Sequence, residues 1–433
     1  MRRQPKPGNI LHSLKILRGN TRLCVVVEPM WGIPYVLYNF YLSLYMRAQG
    51  VSDQQIGFLI SLSFIAGSIF SFFAGVITDS LGRKKTTLIF DLLCWPVSIL
   101  IYMVSRGFWG FALATIVGSL VRVVVVSWNL LVVEDAVTEE RVAAYNLLNI
   151  INVAMGVTTP LAGLLVRRIG VVAGERILMG FAVVSMTAMM LVRNHYLKET
   201  AIGREILAER RGGGRSPFAN VLASYGRIFE ALRVEPKRRM ILVTTVLFNT
   251  YVPIGTFASL YYAPYLTEAL RLEKSSISIL GSVNSLVLFL VLALVTPKIA
   301  GHKHVGAMIL GLTLQAFSLF LFIVVPRGNF YLAAACVALF AIGYGLYRPF
   351  MDSTLAEVTE GRERAGLYAL QNVAVSVLSA TMGFISGFLY HLNPILIYLV
   401  SIGILLACIM VLVSYSRKPA PGMDVRGKRE MAR

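Results

Sequence analysis

Apolar residues fill this chain in runs of about 20, separated by short polar gaps, with no sustained two-residue alternation of the kind a half-buried strand shows. A helix needs about 20 apolar residues to cross a hydrocarbon core about 30 Å thick. Twelve runs reach that length: 23–47, 54–77, 86–105, 108–134, 142–166, 171–192, 240–266, 276–296, 304–325, 329–355, 365–389 and 394–415. The prediction is an all-α membrane protein with twelve transmembrane helices. The residues before the first run are basic (Arg2, Arg3, Lys6, Lys15, Arg18 and Arg22), but the run is too long for a signal peptide and lacks a small-residue cleavage site. It is read as a retained span.

The longest polar stretch, 193–239, falls after the sixth run and carries Arg210-Arg211-Gly212-Gly213-Gly214-Arg215. A Gly/Arg-rich tether at that place splits six spans from six. The expected organisation is a basic N-terminal segment (1–22), a six-helix bundle (23–192), a linker (193–239), a second six-helix bundle (240–415) and a basic tail (416–433). An internal repeat supports two pseudo-symmetric bundles. Arg141-Val142-Ala143-Ala144-Tyr145, with Asn149 beyond it, is echoed by Arg364-Ala365-Gly366-Leu367-Tyr368 and Asn372. Glu134 and Glu357 keep the same offset, and Tyr45 and Tyr265 close the first span of each half. Such parallel repeats are a common way to build a transporter.

Composition agrees: 56 % of the 433 residues are hydrophobic and only 15 % charged, against about 25 % charged in soluble domains. The charge is lopsided, 41 Lys+Arg against 22 Asp+Glu, for a formal +19. The bases cluster in the gaps between spans, so anionic membrane lipid, and not nucleic acid, is the expected partner. With both termini inside, one side collects Arg83, Lys84, Lys85, Arg141, the linker cluster, Lys298, Lys303, Arg362, Arg364 and the tail. The opposite side keeps only Arg47, Arg106, Arg167, Arg168, Arg176, Arg271, Lys274 and Arg327. This bias orients a multi-pass protein of the cytoplasmic membrane with both termini cytoplasmic. The four cysteines and five histidines form no ligand set, so neither a metal nor another cofactor is expected. No nucleophile–base set or phosphate loop is visible, which argues against an enzyme.

Between the second and third spans stands Gly75-Val76-Ile77-Thr78-Asp79-Ser80-Leu81-Gly82-Arg83-Lys84-Lys85. This resembles the loop signature of the major facilitator superfamily: a glycine, an Asp four residues on, then Gly-Arg and a further base. Gly82 permits a tight turn, and Asp79 with Arg83 offers a charge-assisted pair. The resemblance implies a cytoplasmic gate of Gly75, Asp79, Gly82, Arg83, Lys84 and Glu134, with the Arg meeting the acid that ends span four. The second-half copy, Thr296 to Lys303, lacks the Asp and the Gly-Arg. In span five, Gly156-Val157-Thr158-Thr159-Pro160-Leu161-Ala162-Gly163 partly matches the glycine-rich stretch of antiporters in that family. Span four carries only the Arg of the family's Arg-Gln-Gly pattern, as Arg122.

Ionisable residues inside spans are costly, about 2.5 kcal/mol or more each, and so mark candidate function. Glu28 in span one, Arg122 in span four, and Arg348 with Asp352 on one face of span ten are such residues. The resemblance implies that spans one, four, seven and ten line a central cavity, so these four are expected to face it together. Arg122 is assigned to substrate or to holding Glu28 ionised, and Glu28 or Asp352 to protonation. The competing reading makes Arg348–Asp352 a static pair and lets Glu28 reach the inner surface. Asp91, in peripheral span three, is expected to pair structurally. Tyr35, Tyr38, Asn39, Asn129, Asn149, Asn249, Tyr347 and Asn372 complete the candidate site. Tyr261 and Tyr262, near the outer boundary, are expected in an interfacial belt or in inter-helix packing. Gly67, Ser71 and Gly75 in span two, and Ser379, Gly383 and Gly387 in span eleven, form small-residue ladders for close packing.

The expectation is a monomeric secondary transporter that moves a small organic solute by alternating access, coupled to protons and exporting. Import or exchange of an organic anion, favoured by Arg122 and Arg348, is the alternative. A lipid-handling or sensor protein on the same scaffold is the rival from another class.

Overall fold

The computed structural model describes residues 14–211, 236–257, 259–296, 299, 304–358 and 364–416. Among them every regular element is helical. Six long apolar helices come first: α1 Gly19–Ala48, α2 Asp53–Leu81, α3 Arg83–Val104, α4 Phe108–Val133, α5 Glu139–Ile169 and α6 Val171–Tyr196. A further helix, Ala201–Arg211, follows, and residues 212–235 of the expected linker lie outside the described residues. The next long helix, α7 (Pro236–Gly255), has an apolar stretch of only Arg239–Gly255. Five more are long enough to span: α8 Lys274–Val295, α9 His304–Ile323, α10 Phe330–Val358, α11 Arg364–Leu392 and α12 Ile395–Ser416. Large apolar side chains stand on the outside, with Trp109 82 %, Val184 70 % and Tyr331 86 % exposed. Water would penalise such a surface, and lipid matches it.

Several of these helices are interrupted where the sequence carries breakers. Pro253 cannot donate to the helical ladder, and α7 ends two residues later at Gly255. The chain turns irregularly before a short helix at Tyr262–Pro264 and a π-helical turn at Tyr265–Ala269. Span seven is therefore broken, and not the continuous helix that its run of apolar residues suggested. In α5 the ladder changes to a 3₁₀ turn at Gly156–Thr158, and Pro160 starts the second segment. In α3 a π-helical turn at Leu93–Val97 surrounds Pro96.

The Gly82 turn with Arg83–Lys85 at the start of α3, and the end of α12, share one face of the bundle, here the basic face. The α1–α2, α5–α6, α7–α8 and α11–α12 turns lie at the far face. The two halves touch mainly through α2 against α11 and α5 against α8. Glycine makes the first contact close. A Cβ on Gly57 would stand 2.6 Å from the Gly383 carbonyl oxygen, and one on Gly383 would stand 2.8 Å from an Ile60 methyl. The second contact is equally tight, since a Cβ on Gly163 would lie 2.5 Å from the Ser275 carbonyl. The α11 ladder thus packs on α2, but at residues 53–61. The α2 ladder does not join it: Gly75 has nothing within 4 Å, and Gly67 backs onto the Arg122 side chain. These contacts gather in the far half.

Candidate functional site

Between the bundles, beneath the far face, lies a cavity of about 280 Å³. Both helix breaks build it. Gly156 and Thr159 come from the interruption of α5, and Phe257, Ser259, Tyr262 and Ala263 from that of α7. Backbone that leaves the helical ladder at membrane depth is stable only where protein or a cavity satisfies it. Tyr35, Val36, Asn39 and Phe40 of α1, Asn152 of α5, and Gly281, Asn284 and Ser285 of α8 complete the wall. None of the lining side chains carries a formal charge. Ser259 Oγ and the Tyr262 hydroxyl make no hydrogen bond among the described residues. Thr159 Oγ1 lies 2.9 Å from the Ser278 carbonyl and 3.0 Å from Ser282 Oγ, tying α5 to α8. The stretch that resembles antiporters is therefore the seam between the bundles.

The far side of the cavity is closed by contacts across the two halves. Arg47 of α1 pairs with Asp53 of α2 and with Glu268, which follows α7. Its guanidinium lies 5.1 Å from the ring centroid of Tyr390 in α11. Tyr390 stacks on Tyr261 at 4.9 Å, and the Tyr261 hydroxyl donates to the Asp53 carbonyl at 3.3 Å. The Tyr41 hydroxyl donates to the Lys274 carbonyl at the start of α8. Tyr261 thus packs between helices as a closure contact, and Tyr262 stands in the cavity wall. On the basic side the bundles separate: Arg348 and Asp352 keep 34 % and 50 % side-chain exposure. The crevice opens to the basic face.

The expected central cluster is only partly assembled. Arg348 Nε donates to Asp352 at 2.9 Å and Nη1 to Asn249 at 3.2 Å, which joins α10 to α7. Tyr347 is buried beside them, 4.3 Å from Phe248. Of the other candidates only Tyr35 and Asn39 line the cavity. Tyr38 turns into the first bundle, edge-on to Tyr35 at 5.8 Å. Asn129 accepts from Tyr145 at 3.3 Å, away from the cavity wall, and Asn149 is exposed one turn before the lining Asn152. Arg122 is exposed and runs beside Gly67, with no ion pair among the described residues. The side chain of Asn372 lies outside the described residues.

Glu28 does not face Arg122. It lies within electrostatic reach of Arg193 of α6 and Asp91 of α3, inside the first bundle. Arg193 and Asp91 form an ion pair with both side chains about 5 % exposed or less. Depth along the helix, and not its face, explains the difference: Tyr35 and Asn39 fall seven and eleven residues after Glu28, on nearly the same side of α1 but about 10 and 16 Å nearer the far face, while Glu28 lies within reach of the Arg193–Asp91 pair. Arg193 was missed because a base near the end of span six reads as an ordinary flank.

At the basic face Arg83 is 3 % exposed and fully engaged. Its Nη2 and Nε meet Glu134 at 3.1 and 3.2 Å, and Nη1 meets Asp79 at 3.0 Å. Gly82 turns the chain at φ +85°. Glu199, which lies beyond α6, accepts the Arg83 and Lys84 amides at 3.0 Å each, and so caps the start of α3. Thr200 donates to Glu134. All these residues belong to the first half or to the segment leaving it, so in this conformer the cluster staples α2, α3, α4 and the α6 exit together. Gly75 takes no part in it.

Residues 31–302 and 244–432 match the family model of the Major Facilitator Superfamily. Solved structures similar over nearly the whole chain include a bacterial homologue of the iron transporter ferroportin in its inward-facing state. It has 13 % identity over 95 % of this chain and 100 % of that one, with a TM-score of 0.67. The nucleoside transporter NupG has 13 % identity over 95 % and 100 %, with a TM-score of 0.64. A D-xylose-proton symporter has 14 % identity over 93 % and 97 %, with a TM-score of 0.67. No curated protein sequence matches. With twelve long helices among the described residues in two halves, a cavity between them and a family match across both, the chain belongs to the major facilitator superfamily of secondary transporters.

Proposed function

We propose that the protein carries a small, uncharged polar organic solute across the cytoplasmic membrane by alternating access. The observation that carries this reading is the cavity wall: amides, hydroxyls and aromatic rings from α1, α5, α7 and α8, with no charged side chain among them. Buried amides and hydroxyls favour a ligand that satisfies them and penalise one that leaves them unpaired. The hydroxyls of Ser259 and Tyr262 are free for such a ligand. A volume of about 280 Å³ lies just below the usual range of ligand pockets, roughly 300–1,000 Å³, which suits a small solute. The similar structures carry unlike substrates, so the solute class rests on the cavity alone.

Coupling is to protons, with Asp352 at the crevice and Glu28 beside Arg193 as the candidate carboxylates. Export is the direction, by the resemblance of the Gly156–Gly163 stretch to antiporters. The Lys/Arg bias places the basic face in the cytoplasm against anionic lipid, and the protein works as a monomer. The structure is then the inward-open conformer. One observation favours a second reading: Arg122 has no ion pair among the described residues, and an organic anion would supply one.

The test is proteoliposomes carrying an internal pH dye, challenged in turn with neutral polyols, sugars and nucleosides, and with organic anions. A neutral solute that moves protons, with the response lost in Asp352→Asn or Glu28→Gln, supports the proposal. Anion uptake abolished by Arg122→Ala replaces it with the second reading. A Glu28→Gln protein that still drives uphill transport removes Glu28 from coupling.

A further inference from the structure

Glu175, one turn into α6 from the far face, is fully buried at 0 % exposure. Neither of its carboxyl oxygens has a hydrogen-bond partner of acceptable geometry among the described residues. It is the one acidic residue in that condition among the described residues: Asp91 has Arg193, Glu134 has Arg83, and Glu268 has Arg47.

Among the described residues its surroundings supply no cation. Tyr38 and Tyr41 of α1 face it, and the main chain at Tyr41 is its remaining polar neighbour. From α3, Tyr102 and Cys94 interact with Tyr38. The adjacent Arg176 is turned to the Tyr45 hydroxyl at 3.4 Å. From α5, Arg168 is exposed, and Arg167 is exposed 3.7 Å from Glu273. An ionised carboxylate buried without a donor or a counter-charge costs many times what the neutral acid costs. The group therefore sits here as a carboxylic acid.

Its place gives that proton a consequence. Tyr41, which faces Glu175, holds the far closure through its hydrogen bond to the Lys274 carbonyl of the other bundle. Opening the far face breaks that bond and brings water to the side of α1 that covers Glu175. Hydration favours the ionised form, so the two conformers bind this proton with different affinity. By linkage, the proton then favours the closed far face.

We propose that Glu175 is a proton-binding site, filled while the far face is closed and emptied to the far side when it opens. This rests on the alternating-access reading, and it adds a proton site apart from the crevice carboxylates.

The test uses full-length protein in nanodiscs with spin labels on cysteines placed at Arg106 and Arg327, exposed on far loops of the two halves. The four native cysteines are buried. Distances across the far face are read as pH is varied. The expected result is a closed population that grows as pH falls in the parent protein, and in E175Q a population that stays closed and no longer responds. Infrared difference spectra of the same samples should lose the band of a buried carboxylic acid in E175Q. Tyr41→Phe, which keeps the acid and removes the closure bond, should retain the pH response with its midpoint moved to lower pH. Two distances whose pH response survives E175Q, or an unchanged carboxylic acid band, overturn the assignment of Glu175 alone. A single distance under every condition overturns alternating access, and the proposal with it.

Discussion

Arg47 and Glu268 meet as an ion pair at the far face, and they come from opposite bundles. The same guanidinium holds Asp53 and lies over the Tyr390 ring, so one side chain touches α1, α2, the end of the broken seventh span and α11. Such a network exists only while the far face is closed. Its side chains are partly exposed, Arg47 16 % and Glu268 53 %, so the pair is worth about 1 kcal/mol. Arg47→Ala should shift the closed–open balance toward open by roughly fivefold. The shift is read as cysteine accessibility of cavity positions from the far side. The double swap of Arg47→Glu with Glu268→Arg, measured the same way, should restore part of it, and no recovery would remove the pair from the closure.

The α5–α8 seam leaves no room for side chains. Gly163→Val should block closure of the far face, because its Cβ would already stand 2.5 Å from the Ser275 carbonyl. Gly383→Val should do the same against Ile60. Gly75→Ala, with open space around it, should leave transport unchanged. Disulfide trapping across the far face checks the first two and solute transport in proteoliposomes the third, and a trapped Gly163→Val protein would contradict the packing.

Arg83 is buried against Glu134, 8 % exposed, while Asp79 keeps 35 %, so removing Arg83 strands one buried carboxylate. Arg83→Ala should cost about 3–5 kcal/mol, seen as a lower midpoint of thermal unfolding in detergent. Arg83→Lys should rescue little, because an ammonium cannot make the paired contacts to Glu134. Full stability in Arg83→Lys would show that charge alone suffices.

Asn152 and Asn284 face each other's bundles across the cavity. Replacing either with Ala should weaken the solute by about 1–2 kcal/mol, roughly five- to thirtyfold in apparent affinity, with the fold intact. An Asp at either place should abolish binding of a neutral solute. Binding is measured by solute-dependent tryptophan fluorescence, and unchanged affinity in both Ala variants would move the site elsewhere.

Asp91→Asn removes the partner of a buried cation, and Arg193 should then lean on Glu28. The single variant should unfold at lower temperature. Adding Glu28→Gln should lower stability more than the sum of the two single changes, because Arg193 would lose both acids. Strict additivity would show that Glu28 takes no share of that charge.

How far the site was readable follows from the reach of each signal. Pro253-Ile254-Gly255 and Gly156 to Pro160 are breakers in plain view, and both lie where the cavity is built. The run of apolar residues through 240–266 hid the break, because composition does not register a missing donor. Asn152, Asn284 and Glu175 are single letters in apolar runs, and no local spacing distinguishes them from packing residues. Glu199 looks like one acid in a polar linker, yet it caps α3 through two amides.

The sequence by itself determined the place of every long apolar helix but the broken seventh, since span length follows from bilayer thickness. It also determined the split into halves and the Gly82-Arg83 turn, since a repeat and a breaker are local facts. Tertiary structure alone decided which face of each helix meets the crevice. Glu28 and Asn39 share nearly one side of α1, since eleven residues at about 100° each make almost three whole turns, yet packing sets Glu28 near Arg193 and Asn39 in the cavity wall. The closure at Arg47 and the burial of Glu175 were decided there too. They depend on contacts between residues as far apart in the chain as 47 and 268, which pack together only when both bundles have formed.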